Sequence, residues 1–269
     1  MSSIVTSEGI LHYEVDGRGK PILFLHGWLS SWDLWRDTML TLSDERRYRI
    51  YALDFWGFGD SAKKSTQSFN IDSYVSMVNQ FMDKMGISQA PIIGHSMGGT
   101  VALNLALEHP SRVEKIIVVG SPVAGNSLSP LLKLASFSFI ANLIWRMPSI
   151  LLMGIKLFSP ILAKDGQQIY QVLKRDFSQT TVEAFLLSIR SLWQTDLRPH
   201  LGQIGVDVLG IYGRGDNVVN PNQAQALKKS VSKAQTQMML ESRHFPMLDE
   251  PKLFRERVLS FLIHGSSVS

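Results

Sequence analysis

The rhythm of hydrophobic and polar positions changes twice along this chain. In the first 120 residues, short apolar runs alternate with longer stretches in which apolar residues recur every three to four positions. Residues 10–15, 21–25, 49–53, 90–93 and 113–119 read as strands, 21–25 being a run of buried type. Residues 31–42, 71–85 and 100–108 have helical spacing, and His109-Pro110 closes the last, because proline disfavours helix in the residue before it. Short apolar strands alternating with helices predict a mostly parallel sheet covered on both faces. The alternation stops at Gly120, and 124–200 is helical in pattern throughout, rich in Leu, Ile, Phe and Met. It resumes with a strand at 206–212, a helix at 221–230, a strand at 235–240 and a helix at 251–263. The expected organisation is a core of 1–123 and 201–269 interrupted by a helical segment, 124–200. Residues 265–269 are expected to fray.

Composition narrows the class. With 269 residues and 45% hydrophobic content, the chain has ample material for a core, which excludes disorder. It has no cysteine, which removes disulfides, thiolate metal sites and cysteine nucleophiles and fits a reducing compartment. A net charge of +4 makes no case for nucleic acid as a partner. The first ten residues lack a basic stretch followed by an apolar run, so a cytosolic location is expected. Residues 131–162 are strongly apolar, but Arg146, Pro148, Lys156 and Pro160 interrupt them. A spanning helix needs about 20 consecutive apolar residues, so this stretch reads as two or more short helices.

Candidate chemistry begins at Gly94-His95-Ser96-Met97-Gly98-Gly99, which follows the apolar run at 90–93 and opens a helix. This is the G-x-S-x-G pattern in a strand–turn–helix context. A turn that sharp pushes the Ser96 hydroxyl out above the sheet, and small flanking residues let the helix fold back. The alternative is an ordinary glycine turn with a satisfied serine. A serine hydroxyl is a poor nucleophile without a base, and the base needs an orienting carboxylate. Asp216 lies in the loop after the strand at 206–212, and His244 directly after the next strand. Both would emerge at the carboxyl edge of the sheet, in the order serine, acid, histidine. The loop after residue 120 offers no competing carboxylate. Asp54 and Asp60 precede the serine and read as loop-structuring residues, while Asp249 and Glu250 read as first-turn acids of the last helix. For an oxyanion, Met97 supplies one backbone N–H. Trp28, after Gly27 in Phe24-Leu25-His26-Gly27-Trp28, supplies the other. No metal or organic cofactor is required.

These stretches, together with Leu53–Ser61 (LDFWGFGDS), Gly213–Pro221 (GRGDNVVNP) and Ser242–Pro251 (SRHFPMLDEP), resemble the α/β-hydrolase superfamily in its esterase, lipase and haloperoxidase-like branch. The resemblance covers the chain except the helical insertion. It implies an α/β-hydrolase fold with an eight-stranded, mostly parallel sheet and an all-helical cap inserted after the sixth strand. It also implies Ser96, Asp216 and His244 as the triad and Trp28 and Met97 as oxyanion donors. Serine at position 96 disfavours members that use an aspartate nucleophile.

The insertion matches no named member, so specificity must be read from its residues. Between Glu114 and Asp165 there is no acidic residue, while Lys115, Lys133, Arg146, Lys156 and Lys164 are basic. Two readings stand. The apolar residues pack inward, or part of them lines a lipophilic tunnel or touches an anionic membrane surface. Either way the substrate is expected to be a hydrophobic small-molecule ester, with Gly27, Trp28, Trp145 and Phe245 as candidate contacts. The expected function is ester hydrolysis through an acyl-enzyme. Alternatives are C–C bond or thioester hydrolysis with the same triad, or a non-catalytic ligand-binding protein.

Overall fold

A computed structural model describes residues 2–63, 69–135 and 147–267. The apolar runs become strands of one sheet: β1 Ser2–Thr6, β2 Gly9–Gly17, β3 Lys20–Leu25, β4 Tyr48–Leu53, β5 Ala90–His95, β6 Val113–Val119, β7 Asp207–Gly213 and β8 Ala234–Met239. Their spatial order is β1-β2-β4-β3-β5-β6-β7-β8. β2 runs antiparallel to β1 and β4, and the remaining pairings are parallel. The sequence pattern had no segment for β1. Ser2–Val5 alternate between half-buried and exposed and only Thr6 is buried, as an edge strand paired on one side should be.

Side-chain alternation divides the core into two halves. Leu23 and Leu25 point into one cluster with Tyr74, Phe81 and Val101, from helices α2 (Ile71–Lys84) and α3 (Met97–Glu108). Ile22 and Phe24 point into the other, with Met39 from α1 (Arg36–Ser43) and Phe254 and Val258 from α10 (Pro251–His264). Burial on both faces is why β3 and β5 are almost wholly apolar. Gln223–Ser230 (α8) and Pro246–Asp249 (α9) complete the core helices. Ser266 is bonded to the sheet: its N–H donates to Asp207 Oδ2 (3.2 Å) and its carbonyl accepts from Gln235 Nε2 (2.5 Å). Of the tail expected to fray, Gly265–Ser267 form a 3-10 turn, and residues 268–269 lie outside the described residues.

Between β6 and β7 the described residues form α4 (Pro130–Ala135), α5 (Pro148–Leu162), α6 (Gly166–Ser178) and α7 (Val182–Gln194). Asp165 caps α6 by accepting from Gln168 N–H, and Thr181 caps α7 by accepting from Ala184 N–H. Among the described residues no helix is long and apolar enough to cross a membrane. These helices reach the core loops through specific bonds. Trp28 Nε1 donates to Phe185 O (3.0 Å), Thr180 Oγ1 to Gly57 O (2.7 Å) and Ser31 Oγ to Asp176 Oδ1 (3.0 Å).

Candidate active site

Ser96 links β5 to α3 with φ 50° and ψ −117°, a conformation that non-glycine residues rarely adopt. Its N–H donates to Val119 O (2.8 Å), which fixes the turn against the neighbouring strand. The glycines around it are dictated by contact. A Cβ on Gly94 would lie 2.3 Å from the Gly98 carbonyl carbon, and one on Gly98 would lie 2.4 Å from Leu25 O. Only chain without side chains lets α3 start this close to the ends of β5 and β3.

Asp216 and His244 meet although 28 residues separate them: His244 Nδ1 lies 2.8 Å from Asp216 Oδ2, and both residues are buried. The other carboxylate oxygen, Oδ1, accepts the N–H groups of Val218 (2.8 Å) and Val219 (2.9 Å), so the acid cannot turn away. Gly120, at the end of β6 with φ +54°, leaves room for the pair, since a Cβ there would sit 3.3 Å from both Asp216 Oδ2 and His244 Nδ1. Ser96 and His244 face the same cavity.

The loop after β3 runs beside the serine. A Cβ on Gly27 would lie 3.1 Å from the Ser96 Cβ. His26 Nε2 accepts from Phe55 N–H (3.0 Å), so its proton is on Nδ1, which donates to Gly27 O (2.7 Å). A trans peptide points its carbonyl and the next N–H in opposite directions. Holding the Gly27 carbonyl therefore aims the Trp28 N–H the other way. Burial keeps the His26 pKa below its ordinary value, which favours the neutral ring, and the two bonds set its tautomer. The sequence pattern placed His26 only as a neighbour of the loop, and its role depends on the distant Phe55. Met97 opens α3, where N–H groups have no intrahelical acceptor.

The cavity in front of Ser96 has a volume of about 380 Å³. Trp28 and Phe245 line it from the core, and Leu151, Ile155 and Phe158 of α5 and Phe185 of α7 close it from the inserted helices. Among the described lining residues none carries a cationic or acidic side chain, and the polar groups are His95, Ser96, His244 and the Trp28 indole. Gly27 does not line the cavity itself but permits the approach of its loop. Trp145 lies outside the described residues.

Asp54 is fully buried and joins the segments around His12, Trp32 and Asp60. Its oxygens accept from Trp32 N–H (2.7 Å), Asp60 N–H (2.9 Å) and His12 Nδ1 (2.8 Å). Burial pushes its pKa up, but these donors outweigh it and hold the carboxyl below its usual range. His12, Asp54 and Asp60 bring potential metal-ligating atoms within 4.8 Å of one another. With the Asp54 oxygens already taken by N–H donors, the group serves as a brace rather than an open ligand set. Asp249, expected as a first-turn acid, instead accepts from Arg243 N–H (2.7 Å) and Lys164 N–H (2.6 Å).

Comparison with known proteins agrees with this architecture. The profile of the alpha/beta hydrolase fold matches residues 20–144. A pimeloyl-[acyl-carrier protein] methyl ester esterase of Vibrio vulnificus is 28% identical, across 93% of this chain and 97% of that protein. A 2-hydroxymuconate semialdehyde hydrolase of Pseudomonas sp. is 27% identical, across 94% of this chain and 90% of that protein. The structure of an esterase from Exiguobacterium antarcticum superposes with a TM-score of 0.83 at 24% identity, covering 97% of this chain and 98% of the other. Sheet order, elbow glycines and these similarities converge: the chain has the α/β-hydrolase fold and is similar to esterases and hydrolases built on it.

Proposed function

We propose that this protein is a serine hydrolase that cleaves neutral, hydrophobic carboxylic esters through an acyl-enzyme, with Ser96, His244 and Asp216 as its triad. One observation carries the reading: a serine on a strained elbow and an aspartate-paired histidine open onto the same apolar cavity. In this mechanism His244 removes the Ser96 proton as the hydroxyl oxygen attacks the ester carbonyl. The N–H groups of Trp28 and Met97 receive the oxyanion. His244 then delivers the proton to the departing alcohol and activates a water that releases the acid, while Asp216 stabilises the imidazolium.

A substrate carboxylate buried in the cavity would lack a countercharge among the described lining residues, and an unpaired buried charge is strongly disfavoured. A neutral alkyl or methyl ester fits better, and the Vibrio relative is named for a methyl ester. The inserted helices act as a cap in this reading. α5 turns Leu151, Ile155 and Phe158 to the cavity while Met153 and Leu157 stay exposed beside Lys156. An outer face both apolar and free of acids suits contact with an anionic lipid surface.

The test pairs a fluorophosphonate probe with p-nitrophenyl hexanoate and the p-nitrophenyl monoester of adipate. Labelling at Ser96 and faster turnover of the neutral ester are expected, and Ser96→Ala should lower kcat by about 10⁴-fold or more. An unlabelled protein would favour a ligand-binding role, and a Ser96→Ala variant that keeps most of its activity would end the mechanism.

A further inference from the structure

Asp216 holds the His244 ring, but the main chain of His244 is gripped separately, from two sides. Its carbonyl oxygen lies 2.9 Å from His95 Nε2, and its N–H donates to Leu162 O (3.0 Å) at the end of α5. A carbonyl only accepts, so the His95 proton must sit on Nε2 and leave Nδ1 bare. Nδ1 is buried without a hydrogen-bond partner. The backbone of Gly27 packs over it, where a Cβ would lie 2.8 Å away. Burial, reinforced by the neighbouring His244, keeps His95 neutral well below its ordinary pKa. His95 is thus a single-tautomer donor aimed at one carbonyl.

The opposite side is a short zipper between the inserted helices and the histidine loop. Arg243 Nη1 donates to Ala163 O (3.0 Å), and the Asp249 carboxylate accepts both Lys164 N–H (2.6 Å) and Arg243 N–H (2.7 Å). The helix that ends in this zipper also walls the cavity. Leu162 docking on the core and the placement of His244 therefore share one hydrogen bond.

We propose that His95 is a positioning residue for His244 and that residues 162–164 form the opposing half of the same clamp, so that docking of α5 and alignment of the base are one event. The inference rests on the reading of His244 as the base. A rotation of its main chain is carried outward to Nε2, and misplacement of a reacting group by about 1 Å can lower a rate by about 100-fold.

The experiment compares His95→Phe, which keeps an aromatic ring and loses the donor, with His95→Gln, which restores an N–H at similar reach. Asp249→Ala opens the zipper from the other side. Thermal melting first establishes that each variant is folded. For His95→Phe we expect kcat on p-nitrophenyl hexanoate to fall by about 10- to 100-fold, with KM little changed. The fluorophosphonate labelling rate should fall in proportion, because labelling needs the base but no ester leaving group. His95→Gln should recover most of the loss, and Asp249→Ala should show the same kcat-confined signature. The proposal is overturned by a folded His95→Phe with unchanged kcat, by equal losses in the Phe and Gln variants, or by a loss confined to KM. Should His95→Phe not fold, the Gln and Asp249→Ala variants decide: full kcat in a folded Asp249→Ala overturns the coupling to α5. A wild-type protein that neither labels nor turns over instead overturns the triad reading, before any variant is compared.

Discussion

At Gly98 a single methyl group decides whether the elbow can form. The Cβ of an alanine there would lie 2.4 Å from Leu25 O and 2.6 Å from His26 O, and neither backbone oxygen can swing aside as a side chain could. Gly98→Ala should lower stability by about 1–3 kcal/mol through overpacking, read from the urea midpoint. Because the displaced carbonyls precede Gly27 and Trp28, ester turnover should fall as well. A variant as stable and active as the parent would show that this contact relaxes freely. The glycine spacing around Ser96 was legible in the sequence, since close backbone approach leaves a compositional mark. His26 and His95 were not, because their bonds to Phe55 and His244 join positions 29 and 149 residues apart.

Helix α6 attaches to the core through charge. Arg175 pairs with Asp33 and with its neighbour Asp176, whose Oδ1 also accepts from Ser31. Asp176 is buried and its Oδ2 has no hydrogen-bond partner. Burial raises its pKa from 3.8 to about 6, with Arg175 offsetting only part of that effect. An acid whose folded-state pKa is raised binds its proton more tightly when folded. Its contribution is therefore most favourable below pH 4 and is lost as pH rises through 4 to 6. The shift corresponds to about 3 kcal/mol. Asp176→Asn should remove that fall and make the variant more stable than the parent at pH 7 to 8. Parallel stability–pH curves for the two proteins would contradict this account. The sequence pattern marked this region only as helical, because an isolated Arg-Asp pair does not reveal which loop it will meet.

At the scale of the molecule, among the described residues, α5 presents several large apolar side chains to the surface. Leu157 is 69% exposed and Met153 58%, with Ile150 and Ile161 also exposed on the same helix. Contact with anionic lipid through this face predicts that the protein co-sediments with phosphatidylglycerol vesicles and not with phosphatidylcholine vesicles. Leu157→Glu should abolish the association while leaving the turnover of a soluble ester intact. Equal recovery with both vesicle types, or none with either, would remove the membrane from the reading.

Strand–helix alternation, the helical block between β6 and β7, the elbow and the order Ser96, Asp216, His244 all follow from local pattern, because burial and tight turns constrain the residues that make them. The edge strand β1 escaped because pairing on one side leaves little apolar signal. Tertiary structure alone decided that the cavity is walled by α5 and α7, that Asp249 joins Lys164 to the histidine loop, and that His95 supports the His244 backbone. Those relations are hydrogen bonds and contacts between segments far apart in the chain, and no single segment carries the information that its partner will be there.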